Sequence, residues 1–188
     1  MKRLSRPSRP SRWTVLLALP LLATTASAAT LSGVKLPDTL RLGERTLRLA
    51  SCGVRDTFWI DHYAAGLYLP AGAPPRATKD PKQPKAVQMK VIEARYLPED
   101  IPQKWRAALA TELRSEPMMR VRRSYSGLSS GDTVVFSYLP DRGVTMRVNG
   151  RTIVKVGGHD VIDAILRAWA GKDTISGKLH RLASQHPC

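Results

Sequence analysis

The sequence predicts an α+β domain: a large antiparallel sheet covered on one face by a layer of helices. Three observations carry this. Apolar residues alternate with polar ones in several short segments, the period of a half-buried strand. Asn149-Gly150 sits between two such segments, the strongest short-range hairpin signal. The helical patterns fall in two blocks, near 98–115 and 160–183, instead of alternating one by one with strands, which favours hairpins over βαβ units.

The first residues stand apart from this domain. Lys2, Arg3, Arg6, Arg9 and Arg12 precede an apolar run from Trp13 to Ala23, and Ala26-Ser27-Ala28 has the small-residue pattern of a cleavage site. This is the design of a secretory signal peptide cut after Ala28, with residues 29–188 as a single exported, periplasmic domain. Removing those five cations lowers the formal net charge from +15 to +10. Outside the cytoplasm a basic domain meets anionic surfaces and organic acids more than nucleic acid. The Lys and Arg residues are scattered apart from Arg120-Val121-Arg122-Arg123, so we expect no nucleic-acid partner. The mature chain has no transmembrane segment, which leaves peripheral membrane contact open. Two cysteines, Cys52 and Cys188, could bridge in an oxidising compartment.

Val34-Lys35-Leu36 ends at Pro37 as a short apolar lead-in. Thr39–Leu42 and Thr46–Leu49 alternate about Gly43-Glu44-Arg45, a hairpin that would set Leu42 opposite Leu47 and Leu40 opposite Leu49. Residues 53–69 read as one long strand, bent near Asp61 or Gly66. Its parity places Arg55, Thr57, Trp59, Asp61 and Tyr63 on one face. A Pro-rich loop follows at 71–85, then a strand with Val87, Met89 and Val91 on one side. A helix is expected from Pro98 or Pro102 to Ser115, with Ile101, Trp105, Leu109 and Leu113 on its inner face and Pro117 ending it. Residues 118–130 fit either a short helix or a basic loop. Strands at 133–138, 143–148 and 151–156 close the sheet. Asp160 opens a helix with Val161, Ile162, Ile165, Leu166 and Trp169 on one face, Gly171 stops it, and a last short helix spans 175–183.

Several chemistries are disfavoured by spacing. Gly127-Leu128-Ser129-Ser130-Gly131 matches a hydrolase nucleophile pattern but is preceded by a polar loop and followed by a strand, the reverse of what that motif needs. His62, His159, His180 and His186 have no metal-ligand spacing, and no phosphate-binding glycine loop is present, so neither metal nor cofactor is expected. Arg55 remains. A cation aimed into a covered sheet face needs an anion. Glu93, Asp56 or Glu112 could supply it, or the guanidinium could receive a ligand carboxylate or phenolate, with Tyr63 adding a hydroxyl.

Gly53-Val54-Arg55, then Tyr63-Ala64-Ala65-Gly66-Leu67-Tyr68-Leu69, resembles the arginine strand and following segment of the chalcone isomerases. Asp163–Leu166 followed by Gly171–Ser176 resembles their penultimate helix and its break. Gly33–Leu40 is similar to the opening of exported bacterial chalcone isomerase-like proteins. The resemblance covers about residues 33–183. It implies an open-faced β-sandwich with a ligand cleft between sheet and helices, and no cofactor. In the enzymes an arginine and hydroxyl-bearing residues stabilise the enolate formed during ring closure. Non-catalytic relatives use the arginine and a tyrosine to hold a fatty acid.

Arg55 corresponds to the catalytic arginine and Tyr96 to the catalytic tyrosine, while a family threonine falls at Tyr63, a hydroxyl position at Ala168 and an asparagine at Gln103. These departures favour a non-catalytic protein that binds a small amphipathic or phenolic acid through Arg55, Tyr63 and Tyr96. The alternatives are an isomerase or intramolecular lyase acting on an enone through Arg55, and a structural or partner-binding periplasmic protein.

Overall fold

The computed structural model describes residues 28–101 and 103–170. The expected leader and cleavage site up to Ser27, the last helix at 175–183 and Cys188 lie outside them. A two-stranded ribbon comes first, β1 (Ala28–Leu31) against β2 (Val34–Pro37). Seven strands follow in one sheet: β3 (Thr39–Leu42), β4 (Arg45–Thr57), β5 (Ile60–Leu69), β6 (Lys85–Val91), β7 (Thr133–Leu139), β8 (Gly143–Val148) and β9 (Arg151–Val156). Their spatial order is their chain order, and every neighbouring pair is antiparallel. Helices α1 (Gln103–Ala110) and α2 (Ser115–Ser126) lie between β6 and β7, and α3 (Asp160–Ala170) follows β9. The predicted α+β class, a large antiparallel sheet under helices, is the architecture found.

The two faces of the sheet bury different things. Tyr63 and Ala65 of β5, Val87, Met89 and Val91 of β6, Val134 and Phe136 of β7 and Met146 of β8 pack beneath Ile101, Leu109, Leu113, Val121, Ile162 and Ile165. This is the main core, and strand parity generates it: residues two apart along each strand face the helices. On the opposite face the β1–β2 ribbon covers the middle strands, with Leu36, Cys52 and Ala64 at its centre. Cys52 is thus buried under the ribbon; its candidate partner Cys188 is among the residues not described.

Four local expectations are corrected. The first hairpin turns through two residues, so Leu40 pairs with Leu47 and Leu42 with Arg45. A shift of two positions leaves the leucines on their common face, where Leu42 and Leu47 are buried. The single strand over 53–69 is two strands, β4 and β5, folded back at Phe58-Trp59. Both turn residues have positive φ, 48° and 67°, a conformation bulky side chains rarely adopt, so no turn signal appears in the sequence. The helix expected to run to Ser115 stops at Ala110. Finally, Pro117 does not end a helix but sits in the first turn of α2, where a missing N–H has no intrahelical acceptor to lose.

Candidate ligand site at Arg55

Arg55 lies near the end of β4, half-buried, with Tyr63 of β5 as its direct cross-strand partner. Cross-strand partners project to the same side with Cβ atoms about 5 Å apart. Tyr63 belongs to the main core, so Arg55 too points towards the helix-covered face. The register then jumps from Arg55/Tyr63 to Asp56/Asp61, leaving His62 as the extra residue of a bulge. Arg55 and Tyr63 therefore share a face, through pairing across a hairpin and not through parity along one strand.

No carboxylate among the described residues forms an ion pair with Arg55. Glu93, a partner considered from the sequence, is engaged by Arg95 instead, with Nη2 to Oε2 at 3.2 Å. The guanidinium nonetheless acts on its neighbours, after burial. Burial pushes the Tyr63 phenol well above its ordinary range; the Arg55 charge pulls against this and neighbouring Tyr125 adds to it. Burial also lowers the His62 imidazole, Arg55 lowers it further, and a hydrogen bond to the Tyr96 backbone opposes both. Tyr63 therefore stays a neutral hydroxyl, able to donate to an anion but not to become one.

Tyr125, on the inner face of α2, completes this group. It is buried, its phenol is pushed up to about 12 by burial and then by the Asp100 carboxylate, and it borders an enclosed apolar space between sheet and helices. That space is lined by Met89, Ile101, Leu109, Val121, Leu128 and Phe136 among others, and its free volume is about 10 Å³. This is room for roughly one water. Asp100 anchors the layer above, accepting from Arg122 at 2.6 Å, Arg106 at 3.3 Å and the Ile101 N–H at 2.8 Å. Sequence reasoning missed Tyr125 because α2 was not assigned; a helical reading of 115–126 would have set Val121 and Tyr125 on one face at i, i+4.

The other sequence candidates are placed differently. Tyr96 ends a short 3-10 turn (Ala94–Tyr96) at 45% exposure, its ring 6.3 Å from that of His62 and under the Arg95 guanidinium. Gln103 opens α1 and is exposed. Ser130 accepts a hydrogen bond from the Ala94 N–H, and the Ser129 N–H donates to Asp132. The Gly-x-Ser-x-Gly stretch is thus a connection between α2 and β7 whose polar groups hold the turn.

The comparisons agree with the architecture. Residues 28–182 match the family model described as chalcone isomerase-like. A fatty-acid binding protein of Arabidopsis thaliana superposes with a TM-score of 0.54, covering 84% of this chain and 98% of that one at 15% identity, a likeness of fold. No curated protein matches the sequence. With a family match spanning most of its length and a sheet and helix layer of the corresponding design, the chain belongs to the chalcone isomerase-like family.

Proposed function

We propose that this protein is an exported, periplasmic, non-catalytic carrier of a small amphipathic organic acid of fatty-acid type. The ligand carboxylate meets Arg55, Tyr63 donates a hydroxyl, and Tyr96 closes the outer end. The observation that carries this reading is a guanidinium on the helix-facing side of the sheet, directly opposite a buried neutral phenol and without an acidic partner among the described residues. Arg is suited to a carboxylate because its fork offers two parallel donors. The fatty-acid binding protein of like fold lends support to the ligand class.

An apolar tail needs more room than the described residues enclose between sheet and helices. Ligand sites for molecules of this size span about 300–1,000 Å³, against the 10 Å³ enclosed between sheet and helices. Binding on this reading parts α1 and α2 from the sheet, and the short α1 is the element that yields. The tight packing of the described residues favours a second reading, a partner-binding protein whose cleft stays filled.

Displacement of a fluorescent fatty acid, together with native mass spectrometry, separates the two. Saturable binding by the wild type, lost in Arg55→Ala, is expected. A protein that neither co-purifies with an acid nor displaces the probe would sink the carrier reading and leave the second.

A further inference from the structure

Three β-hairpins among the described residues turn through two positive-φ residues, and one of them has the opposite chemistry; the β1–β2 turn uses Ser32 and Gly33, with φ of 47° and 78°. At the β8–β9 turn, Asn149 and Gly150 have φ of 48° and 79°; at the β4–β5 turn, Phe58 and Trp59 have 48° and 67°. Turns with two positive-φ residues are the ones that fit strand twist, and they select Asn-Gly because the left-handed region penalises larger side chains. The β8–β9 turn has the favoured pair. The β4–β5 turn instead holds two of the largest apolar side chains in a conformation that disfavours them.

Among the described residues, nothing in the packing accounts for that choice. Phe58 is 83% and Trp59 95% exposed. They also project. Sheet pairing of β5 with β6 ends at Tyr63/Val91, while β4 and β5 continue through Asp56/Asp61 and Thr57/Ile60 before turning. Two further pairs carry the tip roughly 7 Å beyond the sheet. A strained, protruding aromatic pair without a core role marks an interaction surface.

We propose that the Phe58-Trp59 tip inserts into the headgroup boundary of a lipid bilayer and docks the protein on a membrane surface. Trp favours that boundary because its ring is apolar and its N–H is polar. The projection matches the depth of about 5–10 Å at which such apolar groups lodge. Asp56 and Asp61 form the second pair behind the tip, so electrostatic attraction is the property of the whole molecule, whose formal net charge stays at +10 once the leader cations are removed. Docking through this tip would present the end of β4 that bears Arg55, three residues away, to the lipid. The inference does not depend on the acid-carrier reading.

The test is the double substitution Phe58→Asn, Trp59→Gly, which gives the β4–β5 turn the chemistry of the β8–β9 turn. The protein as recovered from an exporting host is sedimented with vesicles of phosphatidylcholine doped with phosphatidylglycerol. Its tryptophan fluorescence is followed against lipids brominated at shallow positions. The expected result is vesicle binding by the wild type that weakens roughly tenfold or more in the variant, with loss of shallow-lipid quenching and an unchanged or raised melting temperature. Equal binding by the two proteins overturns the proposal. So does a wild type that ignores vesicles but dimerises through the tip in sedimentation velocity. Loss of vesicle binding with fatty-acid displacement intact would separate membrane docking from carriage.

Discussion

Lys85→Met tests the polar cluster at the other end of the sheet. Lys85 is completely buried at the start of β6, and its three ammonium hydrogens have three acceptors: the Thr78 carbonyl at 2.7 Å, the Asp80 carbonyl at 2.8 Å and His159 Nε2 at 2.9 Å. For Nε2 to accept, His159 must be neutral with its proton on Nδ1, which lies 3.3 Å from Asp163. Truncation removes this donor from all three acceptors. Each unsatisfied buried group costs about 1–3 kcal/mol, but Thr78 and Asp80 are half-exposed and water can reach their carbonyls. Relief of the buried cation offsets part of the rest. The expected destabilisation is about 3 kcal/mol, or roughly 10 °C in melting temperature for a domain of this size.

The cluster also sets a pH dependence. Burial lowers the His159 imidazole below 6.5 and the Lys85 charge lowers it further, against Asp163, Asp160 and Asp80. Between that lowered value and 6.5 the unfolded chain binds more protons than the native one, so stability rises with pH and falls on acidification. In Lys85→Met the slope in this window should flatten, because one cause of the depression is gone. Urea unfolding followed by circular dichroism, at pH 7.5 and at intervals down to 5, measures both effects. A loss below about 1 kcal/mol at pH 7.5, or an unchanged slope, would refute the account.

Three further outcomes follow from other parts of the molecule. Arg55→Met should leave stability unchanged or slightly raised by urea denaturation while weakening acid binding by about 2 kcal/mol, roughly thirtyfold, since a charge-assisted hydrogen bond contributes about 1.5–3 kcal/mol. Leu109→Ala, opening the tight space beneath α1, should cost about 2–5 kcal/mol of stability yet strengthen fatty-acid binding, read by probe displacement; weakened binding would count against entry under α1. Gly143→Ala should be poorly tolerated: its φ is +70° and a Cβ would lie 2.2 Å from the Val156 carbonyl oxygen, so a melting temperature within a degree or two of wild type would contradict the β8–β9 geometry.

What could be read from the chain depended on how local its cause was. The Asn149-Gly150 hairpin and the alternation of β6 to β9 were legible because a few adjacent residues determine them. The Phe58-Trp59 turn was invisible, since its side chains argue against the backbone they adopt. Pairing Arg55 with Tyr63 came from parity along a strand that does not exist, yet an even separation and a cross-strand register give the same face. Lys85 drew no notice as the last residue of the Pro-rich loop expected at 71–85, whereas β6 begins with it. Its role arises only where the Pro-rich loop, β7 and the start of α3 converge, among residues up to 74 positions apart.

The sheet is open: β3 and β9 are its outermost strands, and among the described residues they do not pair with each other. Edge strands that no described strand covers leave N–H and C=O rows that are templates for another chain. β3 is only four residues long and carries exposed Arg41; β9 carries exposed Arg151 and Lys155 and runs into Gly157-Gly158. Shortness on one side and charge on the other make strand addition unfavourable. Part of the basic excess of this chain thus works as protection against self-association.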